Sequence, residues 1–199
     1  MSTSPLPSHP SRTAALVAAS SLFFEQGYDA ASMQDIADLA GLHKSTLYHH
    51  FRSKDEILLA ICNHTLCELF ESIGKTRAVS GLSPLQRVVD AFDRAAEIGL
   101  TAFRETNIIL SQRPTTPAGQ QILEKRRIYE RQFSDLVKDA QDAGQIAATS
   151  DAMLLTRLML GMINWVLIWY KPDRSSYAII QIRTGLHEIL MSGWNLEEN

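Results

Sequence analysis

Hydrophobic residues recur at three- and four-residue intervals along most of the chain, a spacing that predicts amphipathic helices. One such apolar stripe runs from Ala15 to Phe23 and stops at Gly27, a residue type that commonly ends helices. Strict alternation of apolar and polar residues is absent from the sequence, as are the Asn-Gly and Asp-Gly pairs typical of hairpins. The pattern therefore predicts an all-α fold.

Three short helices are predicted before the longer ones begin. The second starts at Ser32, the first residue of an S-x-x-[DE] capping box, and ends at Gly41. The third covers about residues 43–51, and the fourth begins at Ser53 with another capping box and continues to Ile73. These helices with their tight glycine corners predict a compact N-terminal unit.

Longer helices are predicted beyond Gly81. The start of each helix is predicted from a serine or threonine that can cap it, or from a proline, which suits the first helical turn. The predicted starts are Ser83-Pro84, Thr116-Pro117, Ser150 and Ser175, with a shorter helix that closes at Arg113-Pro114. The remainder of the chain is therefore predicted to consist mainly of long helices.

Composition is that of an ordinary soluble protein, with 199 residues, 45% of them apolar and 21% charged. No run approaches the roughly 18 unbroken apolar residues that a membrane-spanning helix needs, so no membrane partner is expected. Residues 1–11 are rich in serine and proline and lack the basic start and apolar core of a signal peptide. We therefore expect a disordered tail at residues 1–11 and a cytoplasmic protein.

Motifs for enzymatic or metal chemistry are absent from the sequence. It has no G-x-S-x-G elbow, no glycine-rich phosphate loop and no H-E-x-x-H zinc motif, so neither catalytic residues nor a cofactor are expected. His49 and His50 are adjacent and diverge by about 100° on a helix. No second ligand lies four residues from His50, so no metal site is expected either.

Hydrogen-bond donors are concentrated after Gly41, although the net charge of the chain is −3. Two short helices joined by a glycine corner form a helix-turn-helix pattern, whose second helix can enter the major groove of DNA. Hydroxyls, imidazoles and a phenol donate to phosphate oxygens without strong positive charge. The pattern favours DNA binding, and it leaves a solvated polar surface open as the alternative. The donors are Lys44, Ser45, Thr46, Tyr48, His49, His50, Arg52, Ser53 and Lys54.

The N-terminal sequence resembles the TetR family of transcriptional regulators over about Arg12 to Ile61. The residues that carry the resemblance are Leu22-Phe23, Gly27-Tyr28, Ser32, Ile36-Ala37, Ala40-Gly41-Leu42, Thr46-Leu47-Tyr48, Phe51, Ser53-Lys54 and Leu58. Their combination is far more specific than any one of them. The resemblance implies an all-helical homodimer with a three-helix DNA-binding head at residues 12–60. The helix-turn-helix would occupy residues 32–51, and a larger ligand-binding and dimerisation domain would occupy residues 61–199.

The resemblance also implies roles for individual residues of the helix-turn-helix. Phosphate contacts are assigned to Ser32, Thr46, Tyr48, His50 and Lys54. Base edges are assigned to Gln34, Lys44, Ser45 and His49. His43 departs from the family pattern, which usually has serine or threonine there, so we expect a poorly capped recognition helix.

The segment GMINWVLIWYKPDRSS, residues 161–176, resembles family members whose ligands are acyl-CoA thioesters. The candidate ligand-binding residues are Met162, Trp165, Trp169 and Tyr129, with core and dimer packing as the alternative. The candidates for contact with CoA phosphates are Lys125, Arg126, Arg127 and Arg131, with a solvated helix face as the alternative.

The sequence thus predicts a ligand-responsive transcriptional repressor that binds a palindromic operator in double-stranded DNA as a homodimer. A small hydrophobic effector, with an acyl-CoA thioester as the candidate, is expected to release it. Apolar stripes on the last two helices, within residues 155–165 and 179–189, are assigned to the dimer interface. The alternatives are an activator, a ligand-independent repressor, and a small-molecule-binding helical protein without DNA regulation.

Overall fold

The computed structural model describes residues 9–194 of the chain. Within this range the protein contains helices and no strand, so the predicted all-α fold is confirmed. The helices are α1 (Pro10–Gln26), α2 (Met33–Leu39), α3 (Lys44–His50), α4 (Lys54–Ala78), α5 (Pro84–Thr101), α6 (Phe103–Ser111), α7 (Pro117–Asp142), α8 (Ala152–Trp169) and α9 (Ile179–Trp194).

The described residues divide into two compact units. Unit 1 comprises residues 9–64 and 104–123, and unit 2 comprises residues 65–103 and 124–194. Most of α6 therefore belongs to unit 1, although the sequence analysis assigned it to the second domain. The predicted boundary between the two domains lies near residue 60. Whether the segments on either side of it fold independently stays a prediction.

Two polar contacts explain why α6 belongs with the N-terminal helices. The hydroxyl of Ser20 on α1 donates to Glu105 on α6 at 2.8 Å. In the second contact, the guanidinium of Arg104 on α6 donates to the hydroxyl of Ser21 on α1 at 3.3 Å. Contacts between residues more than 80 positions apart are not visible in local sequence patterns.

Helices α1, α2 and α3 pack against one another in unit 1. Helices α2 and α3 have only seven residues each, too few to be stable alone in water. Their side chains Ile36, Ala37 and Leu47 are 0% exposed and share the core of this unit with Ala19 and Phe23 of α1. Burial in this common core is what stabilises the two short helices.

Helices α5, α8 and α9 pack against one another in unit 2. The buried core includes Phe92 on α5, Ile163 on α8 and Leu186 on α9. Two polar pairs at the edge of this core join α5 to α9, and both are partly exposed. They are Arg183–Glu97 at 3.3 Å and His187–Asp93 at 2.9 Å.

The N-terminal end of α1 differs from the prediction. Pro10 and Ser11 were assigned to a disordered tail, but both lie in the first turn of α1. The fixed φ of proline suits that turn, which explains the earlier start. Residues 1–8 of the predicted tail lie outside the described residues.

The starts of α8 and α9 also differ from the prediction. The cap of α8 is Asp151 rather than Ser150, because the carboxylate of Asp151 accepts from the backbone N–H of Leu154 at 3.0 Å. Helix α9 begins at Ile179 rather than directly after Ser175. The hydroxyl of Ser175 accepts from a backbone N–H two residues on and so stabilises the preceding turn instead.

Helices α4 and α8 are long and apolar enough to cross a membrane by length and composition alone. This is weak support for a membrane protein, because core helices of soluble proteins meet the same criterion. Helix α8 buries Thr156, Met159, Ile163 and Leu167. Packing within unit 2 therefore accounts for part of its apolar character.

Candidate nucleic-acid interface

The corner between α2 and α3 is built on Gly41. Its φ of 65° lies in the left-handed region, which glycine adopts without steric cost. The backbone N–H of Leu42 donates to the carbonyl of Ala37 at 2.9 Å, and that of Gly41 donates to the carbonyl of Asp38 at 3.1 Å. These two bonds satisfy the last carbonyls of α2 and determine the direction in which the chain enters α3.

The start of α2 has the predicted capping box. The hydroxyl of Ser32 accepts from the backbone N–H of Asp35 at 3.1 Å, and the Asp35 carboxylate accepts from the Ser32 N–H at 2.9 Å. The Ser32 side chain and then its backbone hold the pKa of Asp35 below its usual range. Ser32 is exposed, so its hydroxyl stays accessible to a phosphate oxygen at the helix N-terminus.

Helix α3 has one buried face and one exposed polar face. Leu47 is 0% exposed, and Phe51, which follows the helix, is 1% exposed. Of the residues assigned to DNA, those with exposed side chains on α3 are Lys44, Ser45, Tyr48 and His49, while Thr46 and His50 are partly buried. The structure therefore brings these six residues together on one seven-residue helix.

The recognition helix is capped poorly, as the sequence suggested. His43 occupies the cap position with extended backbone, and its side chain makes no capping hydrogen bond. The side chain of His43 therefore accepts from none of the first N–H groups of α3, and the N–H of Thr46 donates to the backbone carbonyl of His43 at 2.9 Å.

Gln34, the base-reading candidate on α2, is exposed, and its side chain makes a hydrogen bond within the helix. Its amide nitrogen donates to the carboxylate of Asp38 at 2.8 Å, one turn further along the helix. This bond holds the side chain against α2. The amide oxygen and the second N–H of the amide nitrogen are left for a base edge.

Lys54 lies at the start of α4 and binds the loop between α1 and α2. Its ammonium group donates to the carbonyls of Tyr28 and Ala31, each at 2.7 Å, with a third carbonyl, that of Asp29, at 3.4 Å. It also lies 4.3 Å from the centre of the Tyr28 ring. These contacts give Lys54 a structural role in addition to the phosphate contact that stays a prediction.

Tyr28 also joins the α1–α2 loop to α4, a role that its place in the family pattern did not predict. Its hydroxyl donates to Asp55, and its ring packs edge-on against Phe23 at 5.3 Å. Burial, followed by the hydrogen bond to Asp55, raises the pKa of Tyr28. The phenol therefore stays protonated and continues to join the loop to α4.

His50 has partners at the start of α1 that no local sequence pattern predicted. Its Nε2 is 2.6 Å from the hydroxyl of Ser11, which is 2.7 Å from the Nδ1 of His9. Desolvation, then the neighbouring His9, His49 and Arg12, lower the pKa of His50. The surroundings of His50 in the head therefore favour the neutral imidazole. The only local signal was the polar composition of residues 9–12.

The four ligand candidates differ in exposure, and they lie on two helices. Trp165 and Trp169 on α8 are 64% and 44% exposed, so neither lines a closed cavity in a single chain. Met162 is partly buried. Tyr129 on α7 is buried, with its ring 6.2 Å from that of Phe70. Their roles in ligand binding stay a prediction.

Trp169 also borders an open apolar groove between α8 and α9. The groove has a volume of about 250 Å³ and is lined by Val166, Trp169, Tyr177, Gln181, Ile182, Gly185, Leu186 and Ile189. Most of these side chains are apolar, and several are exposed. The groove is continuous with the exposed apolar side chains on the two helices.

Both parts of the chain match known protein families. Residues 15–61 match the bacterial regulatory proteins of the tetR family. Residues 81–176 match the family described as tetracyclin repressor-like, C-terminal domain. The first match includes the α2–α3 corner, and the second extends from α5 through α8.

Similar proteins include a transcriptional repressor and a transcriptional activator. The HTH-type repressor KstR2 of Rhodococcus jostii RHA1 is 30% identical over 174 residues, which are 82% of this chain and 81% of KstR2. The HTH-type activator FasR of Mycolicibacterium smegmatis is 29% identical over 173 residues, 85% of this chain and 76% of FasR. The crystal structure of AibR in complex with isovaleryl coenzyme A and operator DNA aligns with a TM-score of 0.76 and 25% identity. That alignment covers 90% of this chain and 97% of AibR.

Lys54→Met is expected to lower the free energy of unfolding by about 1–3 kcal/mol, because the partly buried carbonyls of Tyr28 and Ala31 lose a charged donor. Urea unfolding followed by circular dichroism measures this change. Lys44→Met is the matched control, since Lys44 is exposed and should change the stability by less than about 0.5 kcal/mol. Equal stability of the two variants would show that the carbonyl contacts of Lys54 do not stabilise the head.

Proposed function

Because the chain belongs to the TetR family of bacterial transcriptional regulators, we propose that it is a ligand-responsive repressor that binds a palindromic DNA operator as a homodimer. A small hydrophobic effector releases it from the operator. The observation that carries the proposal is the exposed polar face of α3. The opposite face is buried through Leu47, and Phe51 after the helix is buried as well. This is the arrangement that a recognition helix needs to reach base edges in the major groove.

The polar residues of the corner divide into two groups in this proposal. Lys44, Ser45 and His49 are exposed on α3 and contact base edges, together with the amide of Gln34. The residues that contact DNA phosphates are Ser32, Thr46, Tyr48, His50 and Lys54. Few of these residues carry a full charge, so affinity comes from two heads that bind one operator together.

The exposed apolar face of α8 and α9 is the surface through which we propose that two chains associate. Leu158, Trp165 and Ile189 are 60%, 64% and 61% exposed. Extended apolar surface of this kind commonly marks an interface. Two residues of the predicted stripe do not belong to it, because Ile182 and Leu186 are 8% and 6% exposed and pack within the chain.

The effector that we propose is a hydrophobic acyl compound, with a CoA thioester as the candidate. Two observations support it: the isovaleryl coenzyme A in the AibR complex, and the aromatic residues of α8. Since Trp165 and Trp169 are exposed in one chain, they contact the effector only where the effector or a second chain covers them. The protein acts in the cytoplasm, where the operator is.

The DNA role is tested with two variants of α3 that keep the head intact. Lys44→Ala should change the preference among operator variants by about 1–3 kcal/mol at one base pair, because a base contact carries sequence information. Tyr48→Phe, which removes one exposed hydroxyl, should weaken binding to every duplex by a similar factor, because a phosphate contact carries no sequence information. Fluorescence anisotropy with DNA from upstream of its own gene measures both.

A scrambled duplex of the same length is the control for these titrations. Equal losses on all duplexes for Lys44→Ala would remove Lys44 from the base-reading group. Wild-type protein that binds the operator and the scrambled duplex equally would contradict the regulatory function itself.

Trp165→Glu is expected to give monomers, because a carboxylate on the apolar face would be buried without a partner in the dimer. Multi-angle light scattering measures the mass. Val79→Glu is the control, since Val79 is an exposed apolar residue, 37% exposed, that lies outside α8 and α9. A folded Trp165→Glu protein that remains a dimer would show that the interface lies elsewhere.

A further inference from the structure

Helix α4 presents a line of hydroxyl groups to the interior of unit 2. Thr65, Ser72 and Thr76 are seven and four residues apart, a spacing that puts them on one face of the helix. Their side chains are 0%, 3% and 0% exposed. Three hydroxyls in line on a buried face are unusual for an apolar core, because buried polar groups need partners.

The partners of these hydroxyls differ along the line. The hydroxyl of Thr76 donates to Asp90 on α5. The hydroxyl of Ser72 donates to the carbonyl of Leu69 at 2.7 Å. The hydroxyl of Thr65 has no hydrogen-bond partner among the described residues. One end of the line is therefore satisfied within the protein, and the other end is not.

Tyr129 on α7 is a second buried group without a partner. Its side chain is 6% exposed and packs edge-on against Phe70 and Phe133. Burial raises the pKa of the phenol, and the neighbouring Ser72 opposes this effect. The Ser72 hydroxyl donates to the carbonyl of Leu69, and the phenol makes no hydrogen bond of normal geometry with any described residue. The phenol is thus buried beside Ser72 with its hydrogen-bonding capacity unsatisfied.

Arg126 lies on the same face of α7, three residues before Tyr129. It is partly buried and has no hydrogen bond or ion pair among the described residues. Burial lowers the pKa of Arg126, and Glu130 only partly opposes this effect. A guanidinium withdrawn from water in this way favours an anionic partner.

The nearby carboxylates on α7 bind other arginines. Glu124 pairs with Arg127 at 3.6 Å and with Arg131 at 3.1 Å. Glu130 pairs with Arg157 of α8 at 3.4 Å. Of the three arginines in this stretch of α7, Arg126 is thus the one whose charge no carboxylate pairs with in the described residues.

The register of α4 and α7 brings these groups to the same level. Phe70 contacts Tyr129, and seven residues later Arg77 pairs with Asp135 at 3.8 Å, so the two helices run in the same direction. At about 1.5 Å per residue, Thr65 lies about 7.5 Å before the Phe70–Tyr129 contact and Arg126 about 4.5 Å before it. Both therefore lie on the same side of that contact, on neighbouring helices.

We propose that Thr65, Arg126 and Tyr129 bind the anionic oxygen head group of the effector. The proposal rests on the ligand-responsive function proposed above. Two hydroxyl donors and a guanidinium, with no acceptor among them except the hydroxyl oxygens, match a carboxylate or a phosphate. The aromatic rings of Phe70 and Phe133 beside the phenol suit an apolar chain attached to that head group.

Three probes with the same twelve-carbon chain test the head group: dodecanoate, dodecanoyl-CoA and 1-dodecanol. Isothermal titration of the full chain should give at least tenfold tighter binding for one of the two anions than for the alcohol. Tighter binding of dodecanoate assigns the head group to a carboxylate, and tighter binding of dodecanoyl-CoA assigns it to a CoA phosphate. Equal affinity of all three probes, or binding of the alcohol alone, overturns the proposal, and so does the absence of any binding.

Tyr129→Phe and Arg126→Gln test the residues. Each should weaken the favoured anion about tenfold and leave 1-dodecanol unchanged, because only the head group loses a partner. Lys138→Gln is the control, since Lys138 is exposed on the same helix and pairs with Asp142. The melting temperature of ligand-free Tyr129→Phe should not fall, because the phenol makes no hydrogen bond of normal geometry with the described residues. A lower melting temperature with unchanged anion affinity would overturn the proposal and give the phenol a structural role.

Operator binding is measured separately, so that failure of this proposal and failure of the proposed function can be told apart. If wild-type protein binds its operator and 1-dodecanol alone releases it, the regulatory function stands and the head-group proposal is overturned. If the operator is not bound preferentially by the ligand-free protein, the regulatory function fails, whatever the titrations give.

Discussion

The DNA-binding corner depends on one small apolar core. Helices α2 and α3 are each shorter than an isolated helix needs to be. They persist because Ile36, Leu47 and Phe51 are almost completely withdrawn from water, and each side chain of this size contributes about 1.5–3 kcal/mol when buried. The hydrogen bonds around Gly41 then set the direction of α3. The exposed donors on α3 owe their position to this core rather than to bonds of their own.

Unit 2 combines exposed apolar side chains with buried polar ones. Trp165 is more than half exposed, whereas the hydroxyls of Thr65 and Tyr129 are buried without a hydrogen bond to any described residue. Neither condition is favourable for a chain that acts alone. The proposed second chain over α8 and α9 and the proposed ligand between α4 and α7 would together remove both costs. Both proposals therefore explain the same property of the unit, its incomplete burial of apolar groups and its incomplete pairing of polar ones.

Local patterns in the sequence predicted the helices, the capping box at the start of α2 and the polar face of α3. These features depend on residues within a few positions of one another. The contacts of Lys54 with Tyr28 and Ala31 span 26 and 23 positions, so no local pattern indicated them. On α9, helical spacing identified an apolar stripe but did not separate Leu186, which packs inside the chain, from Ile189, which is exposed. Only the three-dimensional packing makes that distinction.

The most direct test of the account is a hydroxyl-radical footprint of the protein on its operator, with and without the effector. Two heads on one dimer should protect two half-sites whose centres are about 34–36 Å apart, or a multiple of that distance, along the DNA. Saturating effector should abolish both protected regions together. A single protected region, protection that does not depend on sequence, or two regions that the effector leaves unchanged would contradict the account.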